Sequence, residues 1–180
     1  MVIIVEGIDR VGKSTLCNKL SEAIGVEIYK HRNDVMDYSL MDNMNETDKM
    51  LQLLDMIKLG SVDVIFDRFH MSDFVYGVIE RNYDYDTAES NRILIEDKLK
   101  DVNAILLLVD PIDIESSSKQ HGKDLYEHYN LMDEAWLSYE GRKARLDYDS
   151  IDEAVELIKN SWAYEHEAFL KEILKGENND

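Results

Sequence analysis

A glycine-rich segment near the N-terminus constrains this chain more than any other feature. Residues 7–14 read GIDRVGKS and satisfy the pattern G-x-x-x-x-G-K-[ST]. The segment follows an apolar run at residues 2–5 and precedes apolar residues with helical spacing at residues 16–24. Glycines let backbone N–H groups close around phosphate oxygens, and the N-terminus of the helix adds partial positive charge. A strand, loop and helix in this order predict a phosphate-binding loop.

The polar side chains of the loop have chemical roles in such a site. Lys13 can reach the β- and γ-phosphates of a nucleotide, and the Ser14 hydroxyl can ligate Mg²⁺. Asp9 places a carboxylate near the acceptor or the metal, and Arg10 places a guanidinium near the transferring phosphoryl group. The alternative is that Asp9 and Arg10 form a solvated pair that points outward. The residues expected to bind the phosphates are Gly7, Gly12, Lys13, Ser14 and Thr15.

Short apolar runs alternate along the chain with segments of helical spacing. The strongest runs lie at residues 2–5, 62–66 and 104–109, with weaker ones at residues 26–29 and 144–148. The strongest runs lack alternation, as is typical of strands that are covered on both faces. Strands that alternate with helices predict an α/β fold with a parallel sheet and helices on both sides.

Two boundary signals refine the predicted helices. Gly60 follows the apolar periodicity of residues 47–59, and we expect it to take the left-handed conformation after that helix. Ser150 and Glu153 have the spacing of a capping box, which predicts the start of the last helix.

Asp67 and Arg68 directly follow the strand predicted at residues 62–66. In open parallel sheets the residues just beyond the carboxyl ends of the strands line the ligand crevice. Asp67 is therefore expected to hold Mg²⁺, directly or through water, and Arg68 to offer a bidentate fork to phosphate. The alternative is a structural salt bridge at the strand end. His70 is a candidate substrate contact or a structural histidine.

Two segments carry a family resemblance. Residues 6–15, EGIDRVGKST, and residues 67–77, DRFHMSDFVYG, resemble the thymidylate kinase family, especially its compact bacteriophage members. The resemblance implies a P-loop NTPase fold of the nucleoside monophosphate kinase type, with three layers, a five-stranded parallel sheet and a mobile lid. It implies one kinase domain over residues 1–180. The implied reaction transfers the γ-phosphoryl group of Mg·ATP to dTMP and yields dTDP.

The resemblance also implies roles for individual residues. Asp9 would meet the sugar and phosphate of the acceptor, and Tyr76 would approach the deoxyribose and disfavour a 2′-hydroxyl. Phe69 and Phe74 are candidates for a base pocket, with helix–sheet packing as the alternative. The implied catalytic residues are Asp9, Arg10, Lys13 and Arg68. The implied acceptor contacts are Glu6, Asp9, Arg32, Asp67, Arg68, Phe69, His70 and Tyr76. The implied metal ligands are Ser14 and Asp67.

Residues 111–124 lie where these kinases carry the lid, and they are polar and contain glycine. Lys119 and Lys123 are candidate ATP contacts there, with solubility as the alternative. Because Arg10 lies in the phosphate loop, the chain resembles the class that keeps its catalytic arginine in that loop.

Some positions depart from the family pattern. Val11 stands where the family usually has a small residue, and the predicted helix at residues 47–59 lacks the usual arginine. Arg32 is a candidate to bind the acceptor phosphate instead. These departures leave other acceptors open: dUMP, a 5-modified deoxypyrimidine monophosphate, dGMP or an unphosphorylated deoxynucleoside. The last usually goes with Glu, not Asp, before Arg68. A nucleotide-binding switch without an acceptor is a further alternative.

Composition limits the partners. The chain has 20 Lys and Arg residues against 38 Asp and Glu residues, a net charge of −18, which repels nucleic-acid backbones and anionic lipid. Cys17 is the single cysteine, so a disulfide framework is excluded. We expect a small deoxynucleotide acceptor, no nucleic-acid or membrane partner, and a cytoplasmic location (the host cytoplasm for a phage protein). Apolar faces at residues 51–54 and 75–79 could form a homodimer interface or face the core.

Overall fold

The computed structural model describes residues 1–30 and 45–176, which form a central sheet with helices on both faces. The described strands are β1 (Val2–Glu6), β2 (Ile28–Lys30), β3 (Val64–Asp67), β4 (Ala104–Val109) and β5 (Arg142–Leu146). The described helices are α1 (Lys13–Ile24), α2 (Glu46–Gly60), α3 (His70–Arg81), α4 (Tyr85–Asp101), α5 (Ile114–His121), α6 (Tyr126–Ser138) and α7 (Ile151–Gly176). A 3₁₀ turn at Tyr148–Ser150 precedes α7.

The five strands are parallel and lie in the order β2-β3-β1-β4-β5. Every residue of β1 is buried, because β3 and β4 flank it and helices cover both of its faces. Alternate residues of β1 enter different cores. Ile3 and Val5 pack with α1 and α7, whereas Val2 and Ile4 pack with α2, α3, α4 and α6. The predicted α/β fold with a five-stranded parallel sheet in three layers is confirmed.

Several element boundaries differ from the predictions: β3 begins two residues later than the predicted strand at residues 62–66, and β2 begins two residues later than the predicted strand at residues 26–29. Strand β5 lies two residues earlier than predicted, and four of its five residues are exposed, so its burial pattern carries little information. Gly60 is the last residue of α2, and Ser61 takes the left-handed conformation in its place (φ +47°). Helix α7 begins at Ile151, directly after Ser150, as the spacing predicted. The Ser150 N–H donates to the Asp147 carbonyl at 3.0 Å, where a capping box would have it donate to the Glu153 side chain.

The two faces that were candidates for a dimer interface belong to the core. Leu54 and Val75 are fully buried, and Leu51, Val78 and Ile79 pack against the same cluster. Helix–sheet packing therefore explains these apolar faces without a partner. None of the helices in the described residues is both long enough and apolar enough to cross a membrane.

Candidate active site

The parallel sheet brings the glycine-rich loop and the Asp67-Arg68 turn to the same edge. Val5 lies opposite Asp67 in the β1–β3 register, and the Arg68 N–H donates to the Val5 carbonyl at 3.0 Å. Between the loop and the turn lies a cavity of about 510 Å³, here called the phosphate cavity. Its lining residues are Asp9, Arg10, Gly12, Lys13, Ser14, Thr15, Lys30, Asp67, Arg68 and His121.

Two glycines shape the loop because a side chain fits at neither position. Gly7 has φ +140°, and an added Cβ would lie 2.5 Å from the carbonyl oxygen of Val109 at the end of β4. Gly12 has φ +95°, and an added Cβ would lie 2.6 Å from the ring of Tyr148. Only glycine combines these conformations with such close approach. The loop is thereby held against both β4 and the turn before α7.

Lys13 is buried at the floor of the phosphate cavity, with 5% of its surface exposed. Its ammonium group donates to the Ile8 carbonyl. Burial, together with the nearby positive charge of Arg68, lowers the pKa of Lys13 to about 7. An anion that bound beside this ammonium would favour the protonated form.

Ser14 and Asp67 place two side-chain oxygen atoms next to each other in the phosphate cavity. The Ser14 hydroxyl donates to Asp67 Oδ2 at 2.8 Å, although the two residues are 53 positions apart. The described residues contain no group of three or more His, Cys, Asp or Glu side chains that could hold a metal ion. Mg²⁺ is commonly held by one or two protein oxygens together with phosphate oxygens and water. The two side chains fit the metal site that the sequence predicted.

Arg68 joins the phosphate cavity to the helix that follows. Its guanidinium donates to Asp9 Oδ1, and its Cζ atom lies 5.0 Å from the centre of the Tyr76 ring. Burial works against its charge, yet Tyr76 and Asp9 raise the pKa of Arg68 above its ordinary value. Burial in turn raises the pKa of Tyr76 to about 12. The side chain of Asp9 thus points toward Arg68, and the alternative of an outward pair with Arg10 is wrong.

Arg10 is exposed and has a left-handed backbone (φ +67°), a conformation that is uncommon for a residue with a side chain. It lines the phosphate cavity and also a second cavity of about 420 Å³, here called the Tyr148 cavity. The residues that line the Tyr148 cavity are Arg10, Val11, Ile112, Asp113, Ser116, Ser117, Gln120 and Tyr148. Arg10 therefore stands between the phosphate cavity and a separate hollow large enough for a ring system.

A third cavity, of about 240 Å³, adjoins the phosphate cavity on the side of α3 and is here called the acceptor-side cavity. Its lining residues are Asp9, Arg68, Ser72, Asp73, Tyr76, Glu80, Arg81 and His121. Three of these residues also line the phosphate cavity: Asp9, Arg68 and His121. The phosphate cavity and the acceptor-side cavity therefore meet at a carboxylate (Asp9), a guanidinium (Arg68) and an imidazole (His121).

Asp73 connects the acceptor-side cavity with a further cavity of about 460 Å³ between α2, α3 and α4, here called the helical cavity. The Asp73 carboxylate accepts from the Arg81 guanidinium at 3.0 Å. Phe74, His70 and Arg92 also line the helical cavity, and the Arg92 guanidinium lies 5.6 Å from the centre of the Phe74 ring.

Two predicted substrate contacts, Glu6 and Phe69, are wrong, because both side chains are buried and contact other parts of the protein. Glu6 is fully buried, and its Oε1 accepts from the N–H groups of Phe69, Met71 and Ser72 at 2.9, 3.2 and 3.3 Å. Its Oε2 accepts from the Ser72 hydroxyl. Phe69 is also fully buried and stacks on Phe66 with ring centres 4.5 Å apart. Glu6 holds the N-terminus of α3, and Phe69 fills the core.

His70 and the lid lysines also differ from the simplest expectation. His70 is 1% exposed and lines the helical cavity, and its Nε2 lies 3.4 Å from Glu96 Oε1 of α4. In the lid segment, Lys119 pairs with Glu115 one turn earlier and Lys123 pairs with Glu80 of α3, each at 2.7 Å. The lid segment contributes a different residue, His121, to the phosphate cavity. Arg32 lies outside the described residues.

Sequence reasoning missed six residues that line the phosphate cavity or the acceptor-side cavity: Lys30, Ser72, Asp73, Glu80, Arg81 and His121. Lys30 ends β2, and the rule about strand carboxyl ends could have found it. The other five positions depend on how α3 and α5 pack against the loop, which no local pattern reveals.

Comparisons with known proteins agree with this fold. No model of a known protein family matches the sequence, and no curated protein matches it either. Among solved structures, the chain is similar to the YorR protein from Bacillus subtilis in complex with phosphorylated GDP. The identity is 27% and the TM-score 0.68, over 93% of this chain and 98% of that chain.

Two more distant structures share the fold alone. Thymidylate kinase from Ehrlichia chaffeensis is 16% identical with a TM-score of 0.53, over 88% of this chain and 98% of that chain. Deoxyadenosine kinase from M. mycoides with bound dATP is 20% identical with a TM-score of 0.53, over 89% of this chain and 98% of that chain. With the phosphate loop at the edge of its parallel sheet, this chain has the fold of the P-loop nucleotide kinases.

Proposed function

We propose that this protein is a phosphotransferase that moves the γ-phosphoryl group of Mg·ATP to a deoxynucleoside monophosphate, with dTMP as the first acceptor to test. The observation that carries the proposal is the junction of two cavities at Asp9 and Arg68. A phosphate donor on one side and an acceptor on the other would present their phosphates to each other there. A nucleotide switch needs only the phosphate cavity, so the acceptor-side cavity favours a kinase.

The side chains of the two cavities suit the chemistry of phosphoryl transfer. An oxygen of the acceptor phosphate forms a bond to the γ-phosphorus while the bond from that phosphorus to the β–γ bridging oxygen breaks. The bonding electron pair leaves with ADP. Lys13 and Arg10 place positive charge on the donor side, and Arg68 offers a guanidinium fork to the acceptor phosphate. Mg²⁺ held by Ser14 and Asp67 would neutralise charge on the β- and γ-phosphates.

The Tyr148 cavity is the proposed site of the donor base. It adjoins the phosphate cavity through Arg10, and the turn that carries Tyr148 follows β5. In this arrangement adenine, triphosphate and acceptor occupy three consecutive cavities across the carboxyl edge of the sheet. The proposal predicts that Tyr148→Ala raises the KM for ATP more than the KM for the acceptor.

A second acceptor, dGMP, is favoured by two observations. The Asp73 carboxylate and the Arg81 guanidinium both line the acceptor-side cavity. Guanine offers a carboxylate two adjacent donors, N1–H and the 2-amino group, and its O6 atom can accept from an arginine. Thymine offers a carboxylate only one donor, N3–H. The YorR protein, which is similar to this chain, was solved with phosphorylated GDP. Arg81 and Asp73 therefore make a guanine nucleotide the alternative acceptor.

The test is a coupled assay of ADP release, with the product identified by mass. The acceptors are dTMP, dUMP, dGMP, dCMP, dAMP, a 5-modified deoxypyrimidine monophosphate, thymidine and deoxyinosine monophosphate, which lacks the 2-amino group of guanine. Transfer to dTMP supports the first acceptor, and transfer to dGMP that weakens with deoxyinosine monophosphate supports the second. Tight ATP binding without transfer to any acceptor contradicts the proposal and favours a switch.

A further inference from the structure

The junction of the two cavities contains a residue from the lid segment that the proposed reaction has not yet used. The Nε2 atom of His121, the last residue of α5, lies 3.4 Å from Asp9 Oδ2. His121 is partly exposed, at 30% of its side-chain surface, and lines both the phosphate cavity and the acceptor-side cavity. No other residue of α5 lines both cavities.

The backbone around His121 fixes where its ring lies. Gly122 ends α5 in the left-handed conformation (φ +74°), and its N–H donates to the carbonyls of Ser118 and Lys119. An added Cβ at Gly122 would meet nothing within 4 Å, so the glycine serves the turn and not a close contact. The N–H of Leu125 then donates to the Ser118 hydroxyl at 3.0 Å. These bonds fold the chain back immediately after the histidine.

A contact with α3 holds the same end of the lid segment from the other side. The Lys123 ammonium donates to Glu80 Oε1 at 2.7 Å, and His128 Nε2 lies 2.9 Å from the same oxygen. This lysine is thereby occupied at the rim of the acceptor-side cavity. Since Lys119 pairs with Glu115 along its own helix, His121 is the nitrogen donor that α5 presents to the junction.

We propose that His121 is a further catalytic residue, which contacts the phosphoryl group in transfer through a ring N–H; the inference rests on the proposed kinase function. Asp9 now lies between Arg68 and His121, each close to a different carboxylate oxygen. The phosphates of donor and acceptor would meet beside these groups. Arg68 and His121 would then interact with the negative charge of the phosphates as well as with that of Asp9. A donor fixed where charge develops during transfer stabilises the transition state more than the ground state.

Steady-state kinetics of three variants tests the contact. His121→Ala is expected to lower kcat about 10- to 100-fold, within the range for loss of one positioned donor, and to change the KM for ATP about threefold or less. His121→Arg, which keeps a donor, is expected to recover at least part of that loss. Glu115→Gln, on the exposed side of the same helix, is the control and should keep the wild-type kcat. A wild-type kcat in His121→Ala overturns the inference.

A second measurement does not depend on turnover or on the folding of a variant. The imidazole resonances of the full wild-type chain are followed by NMR while a bisubstrate analogue, adenosine joined to thymidine through five phosphates, is added with Mg²⁺. The His121 resonance, assigned from its absence in His121→Gln, is expected to shift as the analogue binds. A resonance that stays unmoved while calorimetry shows the analogue bound overturns the contact. Failure of wild-type transfer to every acceptor would refute the proposed function separately.

Discussion

The phosphate cavity and helix α5 are both rich in charge, yet they hold that charge in opposite ways. In the phosphate cavity, Lys13 and Asp67 are buried. Lys13 donates to the Ile8 carbonyl of its own loop, and Asp67 accepts from Ser14, 53 positions away. On α5, Lys119 and Glu115 are exposed and pair with each other across one helical turn. Buried charges must be paired or hydrogen-bonded, whereas exposed ion pairs contribute little.

The difference between the phosphate cavity and α5 shows where a sequence motif can predict which residues a side chain contacts. The phosphate loop directly follows the buried strand β1, so the position of that strand in the sheet determines where the side chains of the loop lie. Lid residues occupy an exposed helix, and their spacing leaves open which of them faces the cavity. Substitutions should therefore have large effects in the phosphate cavity and small effects at the exposed positions of α5.

The largest effect is expected for Lys13→Met. Loss of the ammonium removes charge stabilisation from the transferring group, so kcat/KM should fall by about three orders of magnitude or more, roughly 4 kcal/mol. The fold should persist, because a buried charge is replaced by an apolar chain. Coupled ADP release and urea unfolding measure the two properties.

Lys19→Met is the matched control for Lys13→Met. Lys19 lies on the same helix and forms an exposed pair with Asp152. Its loss should leave kcat/KM within about twofold. An equal loss of kcat/KM in Lys13→Met and Lys19→Met would contradict a specific role of Lys13 in the reaction.

Glu6→Gln is expected to lower the free energy of unfolding by about 2–4 kcal/mol. An amide cannot accept all four of the hydrogen bonds that the buried carboxylate receives from α3, and it lacks the charge that favours a helix N-terminus. Urea unfolding measures the change. Glu22→Gln, at an exposed position of α1, is the control and should change it by less than about 0.5 kcal/mol.

The lowered pKa of Lys13 predicts proton uptake when ATP binds. At pH 8 the ammonium is mostly deprotonated, since its pKa is about 7, and bound phosphates would restore the proton. Calorimetry in buffers of different ionisation enthalpy should show uptake that approaches one proton at pH 8 and falls toward zero at pH 6. Lys13→Met should abolish the difference between the two pH values if it still binds ATP.

The same pKa fixes the sign of one contribution to stability. Unfolding returns Lys13 to its ordinary pKa of 10.5, so the unfolded chain binds more protons between about pH 7 and 10.5. The contribution of Lys13 to the free energy of unfolding therefore rises with pH through that window. Wild type should gain stability relative to Lys13→Met as the pH increases. A constant difference between the two proteins would contradict the lowered pKa.

The smallest effect is expected for Lys119→Ala. Its exposed pair with Glu115 stabilises the helix by about 0.3–0.5 kcal/mol, and its side chain points away from the phosphate cavity. The kcat and the KM for ATP should both stay within about twofold of wild type. A tenfold rise in KM would show that the lid lysines reach ATP after all, and would remove the contrast between the two regions.

Much of this protein could be read from short stretches of sequence. Unbroken apolar runs predicted the parallel sheet, because only strands covered on both faces tolerate such runs. The spacing of Gly7, Gly12, Lys13 and Ser14 predicted a phosphate loop, and the strand before Asp67 predicted that this carboxylate would face it. In each case a buried strand positions the short segment that carries the polar residues, so local order determines position.

Other features depended on packing between distant segments. Glu6 belongs to a family-like motif, but its carboxylate lies under α3 and is closed to ligands, because three backbone N–H groups of that helix point at it. His121 carries no motif and reaches Asp9 only because α5 folds back over the sheet edge. The sequence by itself determined the sheet, the loop and the types of charged residue that the loop carries. Only the tertiary structure decided which charged groups meet at the junction, because that depends on how helices pack across the sheet and not on residue order.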